Sequence, residues 1–231
     1  MKNTHASMAV RGLLYKEWIK LRYLGLLPFA LLLIALGDSF YDMHGLKSAN
    51  GGQALWHAVI FRSHMPFEPM RYLPLSSGIW LAAVQFAPEC LNRRLRLFFH
   101  LPVDEHKALC LILGLGAGLL SALTGGLCLA QAALISLFMP VEAARLSILA
   151  LTPWCLAGFV AYAVTALIFI ETSPVRRLWH AGIGAVFVLA LTDARGYGSH
   201  VDGLPWFGLI AALWFAAIGN VLERAKRGGG S

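Results

Sequence analysis

Six stretches of the chain are apolar at nearly every position, with charged residues falling between them. They are Tyr23–Tyr41, Tyr72–Ala87, Ala108–Met139, Leu146–Ile170, Leu178–Leu191 and Leu204–Val221. A helix crossing a bilayer needs about 20 mostly apolar residues, so each stretch is a candidate span. The second and fifth are short and need flanking residues to reach across. Prolines mark the ends of several stretches, among them Pro66, Pro69, Pro88, Pro102, Pro140, Pro174 and Pro205. Pro28, Pro74 and Pro153 fall in expected first turns, where a missing N–H costs little. Two further segments have helical period without being apolar throughout. In Met8–Tyr23, Leu13, Leu14, Trp18 and Leu21 can face lipid, while Arg11, Lys16, Glu17, Lys20 and Arg22 can face water. This predicts an interfacial helix over residues 8–22. In 89–101, Leu91, Leu95, Phe98 and Phe99 fall on one side and Asn92, Arg93, Arg96 and His100 on the other. Glu89 sits in its first turn behind Pro88, where a helix favours negative charge, and Pro102 stops it.

Composition makes lipid the solvent. The 231 residues are 58% hydrophobic and only 13% charged, against about a quarter charged in a soluble domain. Mean hydropathy is +0.66. The net charge of +7 then reflects basic helix ends facing anionic lipid more than nucleic acid. With the N-terminus inside, the outer segments hold only Lys47, Arg62, Arg71, Arg145 and Arg195, and all other Lys and Arg fall inside. Both termini are therefore expected in the cytoplasm. The N-terminus lacks an uninterrupted apolar core before the first span and reads as no secretory signal. Gly228–Ser231 has the composition of a linker, leaving residues 1–227 as one six-helix domain. The expected fold class is an all-α integral membrane protein.

Several kinds of chemistry are missing from the pattern. The spans hold almost no charge: Asp38, Asp42, Glu171 and Asp193 stand at span ends, and Gln131 is the one long polar side chain well inside a run. A proton- or sodium-coupled carrier needs an ionisable cluster near the midplane, and a channel needs a polar stripe or filter. The chain has no GxxxxGK[ST], HExxH, CxxC or GxSxG. No catalytic residue and no cofactor is expected in it. Cys90, Cys110, Cys128 and Cys155 lack metal-type spacing and read as small buried hydrophobes. The outer segment 43–71 carries His44, His57, His64, Met43, Met65 and Met70, residue types that suit copper or haem iron. On a helix over 52–64, His57 and His64 would stand roughly 10 Å apart along the axis, too far for one ion. The segment reads instead as a surface helix with Trp56, Ile60 and Phe61 dipped into lipid, and no metal site is expected.

An amphipathic "YKEWIKLRY" segment, six spans with both ends inside, and "RRLRLFFHLPV" between the second and third spans together resemble the permease subunit of an ABC-2-type ABC transporter. The resemblance extends over essentially the whole chain. It implies that residues 8–22 form an elbow helix carrying Lys16, Glu17, Trp18 and Lys20, and that 89–101 form a cytoplasmic coupling helix. It implies ATPase-subunit contacts at Glu89, Asn92, Arg93, Arg94 and Arg96, with a smaller second contact in Glu171–Trp179 at Arg176 and Arg177. ATP and magnesium would then belong to the partner ATPase. The other partners would be a second permease chain and the lipid of the inner membrane. The apolar spans suggest export of a hydrophobic or amphipathic cargo. The contrasting readings are a membrane-embedded assembly or maturation factor and a haem- or copper-handling membrane protein.

Overall fold

A computed structural model of the protein describes residues 2–61, 64–91, 105–193, 196–198 and 200–228. These residues form seven α-helices: α1 Lys2–Leu24, α2 Leu26–Ile60, α3 Leu73–Leu91, α4 Glu105–Ser136, α5 Val141–Ile170, α6 Pro174–Thr192 and α7 Leu204–Gly228, with a short 3₁₀ turn at Glu68–Tyr72 before α3. No strand occurs among them. The fold is that of an all-helical, multi-pass membrane protein. Five helical stretches are long and apolar enough to cross a membrane: Val10–Ala49, Lys107–Ser136, Val141–Ile170, Pro174–Thr192 and Leu204–Arg224. The expected second span, now α3, is not among the five, because Ser76, Ser77, Gln85 and Glu89 dilute its apolar character.

That polarity goes with enclosure. α5 is the central helix, with no exposed residue from Leu151 to Ile170, and α3 lies directly against it. The two backbones touch through glycine. A Cβ placed on Gly78 would stand 2.1 Å from the Gly158 carbonyl oxygen, and one on Gly158 would stand 2.6 Å from the Pro74 oxygen. Only bare glycines allow so close an approach, the usual device for joining helices where lipid gives no hydrophobic drive. α6 and α7 cover the next side of α5. There Ala157, Val160, Ala161 and Val164 pack with Val188, Leu191 and Ala211, while Val186, Leu189, Trp206, Leu209 and Leu213 face outward.

The N-terminal helix differs from the flat elbow expected over residues 8–22. Its buried positions are Leu13, Glu17, Leu21, Gly25 and Pro28, continuing through Leu32, Ser39 and Met43 of α2. This is one helical stripe running unbroken across the α1–α2 junction. Trp18 is indeed exposed, but Leu13 and Leu21 face protein, and Glu17, expected in water, is 1% exposed. α1 runs antiparallel to the second half of α3, with Leu24 beside Trp80 and Lys20 beside Gln85 and Glu89. The junction itself has a plain cause. Pro28 has no N–H for the Leu24 carbonyl four residues back. The Trp80 indole N–H fills that vacancy, donating to the Leu24 oxygen at 2.8 Å.

α2 extends well past the expected Tyr41, as far as Ile60, broken at Gly51 with φ 76° and ψ 174°. Only glycine adopts that conformation freely. Beyond the break the chain is helical again, and Trp56 and Phe61 are exposed as expected of a surface helix. Met43, Met65 and Met70 pack instead into an apolar cluster with Phe67, Leu127, Leu151 and Trp154.

Candidate functional site

The ends of α1, α3, α4, α5 and α7 converge at one pole of the bundle. They line a narrow cleft of about 30 Å³, with Lys16, Glu17, Gln85, Glu89 and Cys90 on its polar side and Phe86, Leu109, Ile112, Ile170 and Leu222 on its apolar side. Four charges cross it. Glu89 Oε1 lies 2.7 Å from Lys16 Nζ and 2.6 Å from Lys20 Nζ, and Lys20 also reaches Glu17 Oε1 at 2.7 Å. Glu89 stands past the apolar stretch of α3. Burial alone would push its carboxyl up, but the bonds from Lys16 and Lys20 outweigh that and hold it below the ordinary carboxylate range. Two positive and two negative charges close on themselves, which is how charge survives in so apolar a setting. The second oxygen of Glu17 is buried without a hydrogen-bond partner.

A polar line continues from the cleft into the bundle. The Tyr162 hydroxyl donates to Gln85 Oε1 at 2.6 Å, and Gln85 Nε2 donates to the Ile112 carbonyl at 3.1 Å. Gln85 thereby ties α3, α4 and α5 with both ends of its amide used. Gly116 opposite leaves the space, since a Cβ there would stand 2.2 Å from the Tyr162 hydroxyl.

A second cluster closes the α5–α6 connection. Glu171, 1% exposed, accepts from the backbone N–H of Thr172 and Ser173 at 3.0 and 3.2 Å. Arg176 Nε lies 3.3 Å from the same carboxylate oxygen. Arg177 Nε donates to the Glu171 carbonyl at 2.6 Å. The other carboxylate oxygen lies 3.9 Å from both His180 Nε2 and Arg224 Nη2. Glu171 thus fastens the end of α5 to the start of α6 and the last turns of α7. Its position just before Pro174 suits it to orphan N–H groups at a helix start.

The structure brings together Lys16, Glu17, Lys20 and Glu89 in the first cluster, and Arg176 and Arg177 in the second. Arg176 pairs with the Glu171 carboxylate, and Arg177 bonds the Glu171 backbone carbonyl. The two clusters are neighbours, since Ile170 lines the first cleft and the Arg177 charge reaches Cys90. Asn92, Arg93, Arg94 and Arg96, and most of the expected coupling helix over 89–101, lie outside the described residues. At the opposite pole, His64 Nε2 pairs with Asp42 Oδ2 at 2.8 Å, and His57 stacks on Phe61. Among the described residues, no three His, Cys, Asp or Glu side chains are grouped so as to hold a metal ion. The sequence reading missed the role of Gln85, whose lone amide in an apolar run was the available signal. It also missed Glu171 as a joint and the approach of Cys128 to Cys155.

Comparison with protein-family models, with curated proteins and with solved structures finds no match.

Proposed function

We propose that this chain is the membrane-spanning permease subunit of an ATP-driven transporter of the ABC-2 type, exporting a hydrophobic or amphipathic cargo. One observation carries the reading. The end of α3, where one expected ATPase contact begins, and the end of α5, where the other begins, line the same cleft at one pole. Each is anchored by a half-buried or buried glutamate held by basic residues. A force applied there would reach the spans without slack, because Glu89 is bound to α1 and Glu171 to α6 and α7. In this reading the basic pole is cytoplasmic, as the Lys and Arg bias requires. α3 serves as the second of six spans, with Ser77 and Gln85 turned to protein. α1 acts as an inner extension of the first span braced on α3, in place of a flat elbow. Six spans are few for a complete path, so a second permease chain, identical or related, completes it. Nucleotide closure of the ATPase pair moves the 89–101 segments, and rigid helices carry that motion across the membrane.

The test is affinity purification of the full chain from membranes in mild detergent, with mass spectrometry of the co-purifying chains. A nucleotide-binding subunit is expected, and its absence would refute the proposal. Arg93→Glu combined with Arg96→Glu is expected to leave membrane insertion intact and to abolish that co-purification. Undiminished complex formation in the double variant removes the docking role of this segment.

A further inference from the structure

Away from the charged pole, α4 and α5 carry between them the one close pair of thiols among the described residues. Cys128 Sγ and Cys155 Sγ stand 3.9 Å apart, 27 residues distant in sequence. Both are half-buried and free. They line an open groove of about 300 Å³ together with Ser121, Thr124, Gly125, Thr152 and Phe159.

The groove is selective by what its other side chains do. The Ser121, Thr124 and Thr152 hydroxyls each donate to a carbonyl of their own helix at 2.8 Å, those of Ala117, Leu120 and Ile148. No carboxylate or imidazole lines it. The two sulfurs are its only soft donors. Zinc needs four ligands of the thiolate, imidazole or carboxylate kind and would find two. Calcium and magnesium need oxygen shells built on carboxylates and would find only three neutral hydroxyls. A soft monovalent ion is different, because two sulfurs in line satisfy it.

We infer that Cys128 and Cys155 form a binding site for a soft monovalent metal ion of the copper(I) or silver(I) class, bridging α4 and α5. A linear bridge spans roughly 4.4 Å for copper(I), with bonds of about 2.2 Å, and roughly 4.8 Å for silver(I), with bonds of about 2.4 Å, so the pair has to open by about half an ångström to one ångström. The charge balances in a setting of low polarity. One thiol gives up its proton and binds as thiolate, the other binds as neutral thiol, and the monovalent ion leaves the complex uncharged. One proton is released for each ion taken up. Gly125, with open space where a side chain would stand, leaves a way in from the groove.

The experiment uses the full chain purified in detergent, with Cys90→Ser and Cys110→Ser removing the other two thiols. Silver(I) is the probe, added in thiol- and halide-free buffer. The expected result is one silver per chain by elemental analysis, one proton released per silver, and two sulfur neighbours by X-ray absorption. Adding Cys128→Ser or Cys155→Ser is expected to weaken binding by about tenfold or more, and zinc is expected not to be retained. Equal binding in either serine variant, or a silver shell with fewer than two sulfurs, overturns the proposal. Isolation of the chain with these two thiols already joined as a disulfide overturns it as well. Where a serine variant does not fold, the sulfur count in the parent chain decides.

Discussion

The contact between Gly78 and Gly158 gives the sharpest test of the helix arrangement. Gly78→Ala places a methyl group 2.1 Å from the Gly158 carbonyl oxygen and 3.1 Å from the Tyr162 amide nitrogen. Ordinary contact begins at 3.4 Å, so α3 and α5 must separate by the difference from 2.1 Å, about 1.3 Å at this point. The obstacle is backbone, which cannot swing aside as a side chain would. Overpacking of this kind costs about 1–3 kcal/mol, and a backbone clash belongs at the upper end. Alanine returns about 1 kcal/mol through its better helix propensity. The net is a loss of about 2 kcal/mol. Gly118→Ala on α4 is the control, since nothing lies within 4 Å of its Cβ position. It keeps the propensity gain of about 1 kcal/mol without the clash. The two variants should therefore differ by about 3 kcal/mol. Reversible unfolding in mixed micelles with increasing SDS fraction, followed by helical circular dichroism, measures both. If Gly78→Ala unfolds at the same SDS fraction as Gly118→Ala or later, the close crossing of α3 and α5 is wrong.

Three further outcomes are expected. Trp80→Phe removes the donor to the Leu24 carbonyl and should cost about 1 kcal/mol. In a Pro28→Ala background, where residue 28 supplies its own N–H, a double-mutant cycle by SDS titration should find that loss much reduced. Glu89→Gln strips the charge that Lys16 and Lys20 share and should destabilise the fold by about 1–3 kcal/mol; a midpoint equal to wild type in the same titration contradicts the four-charge closure. Glu171→Ala leaves the Thr172 and Ser173 amides without their acceptor. It should cost about 1 kcal/mol and speed amide exchange at Thr172 and Ser173, with α2 unaffected.

The positions of the helices were readable from hydropathy alone, because burying backbone in lipid forces long apolar runs. Val141–Ile170 and Leu204–Gly228 begin within a few residues of Leu146 and Leu204 for that reason. Which helix touches which was not readable. A side facing lipid and a side facing protein are equally apolar, so Gly78 and Gly158, 80 residues apart in the chain, carry no mutual mark. The same ambiguity reversed the faces of α1. Glu17 looked like a water-facing charge because the partner that shelters it, Lys20, is itself held by Glu89 on another helix. The continuation of α2 from Asp42 to Asn50 was missed because Gly45, Ser48 and Asn50 suggest a loop, yet only Gly51 leaves helical geometry. Of the charged pole, the residues were legible and their closure was not.

The enclosure of α5 leaves its own mark on how the chain tolerates change. A helix on the rim can accept nearly any apolar residue on its outer side, so acceptable replacements there recur every three or four positions. From Leu151 to Ile170 no such permissive side exists. A comprehensive substitution survey would find this segment as one continuous band of refusal, set between neighbours whose tolerance rises and falls with each turn.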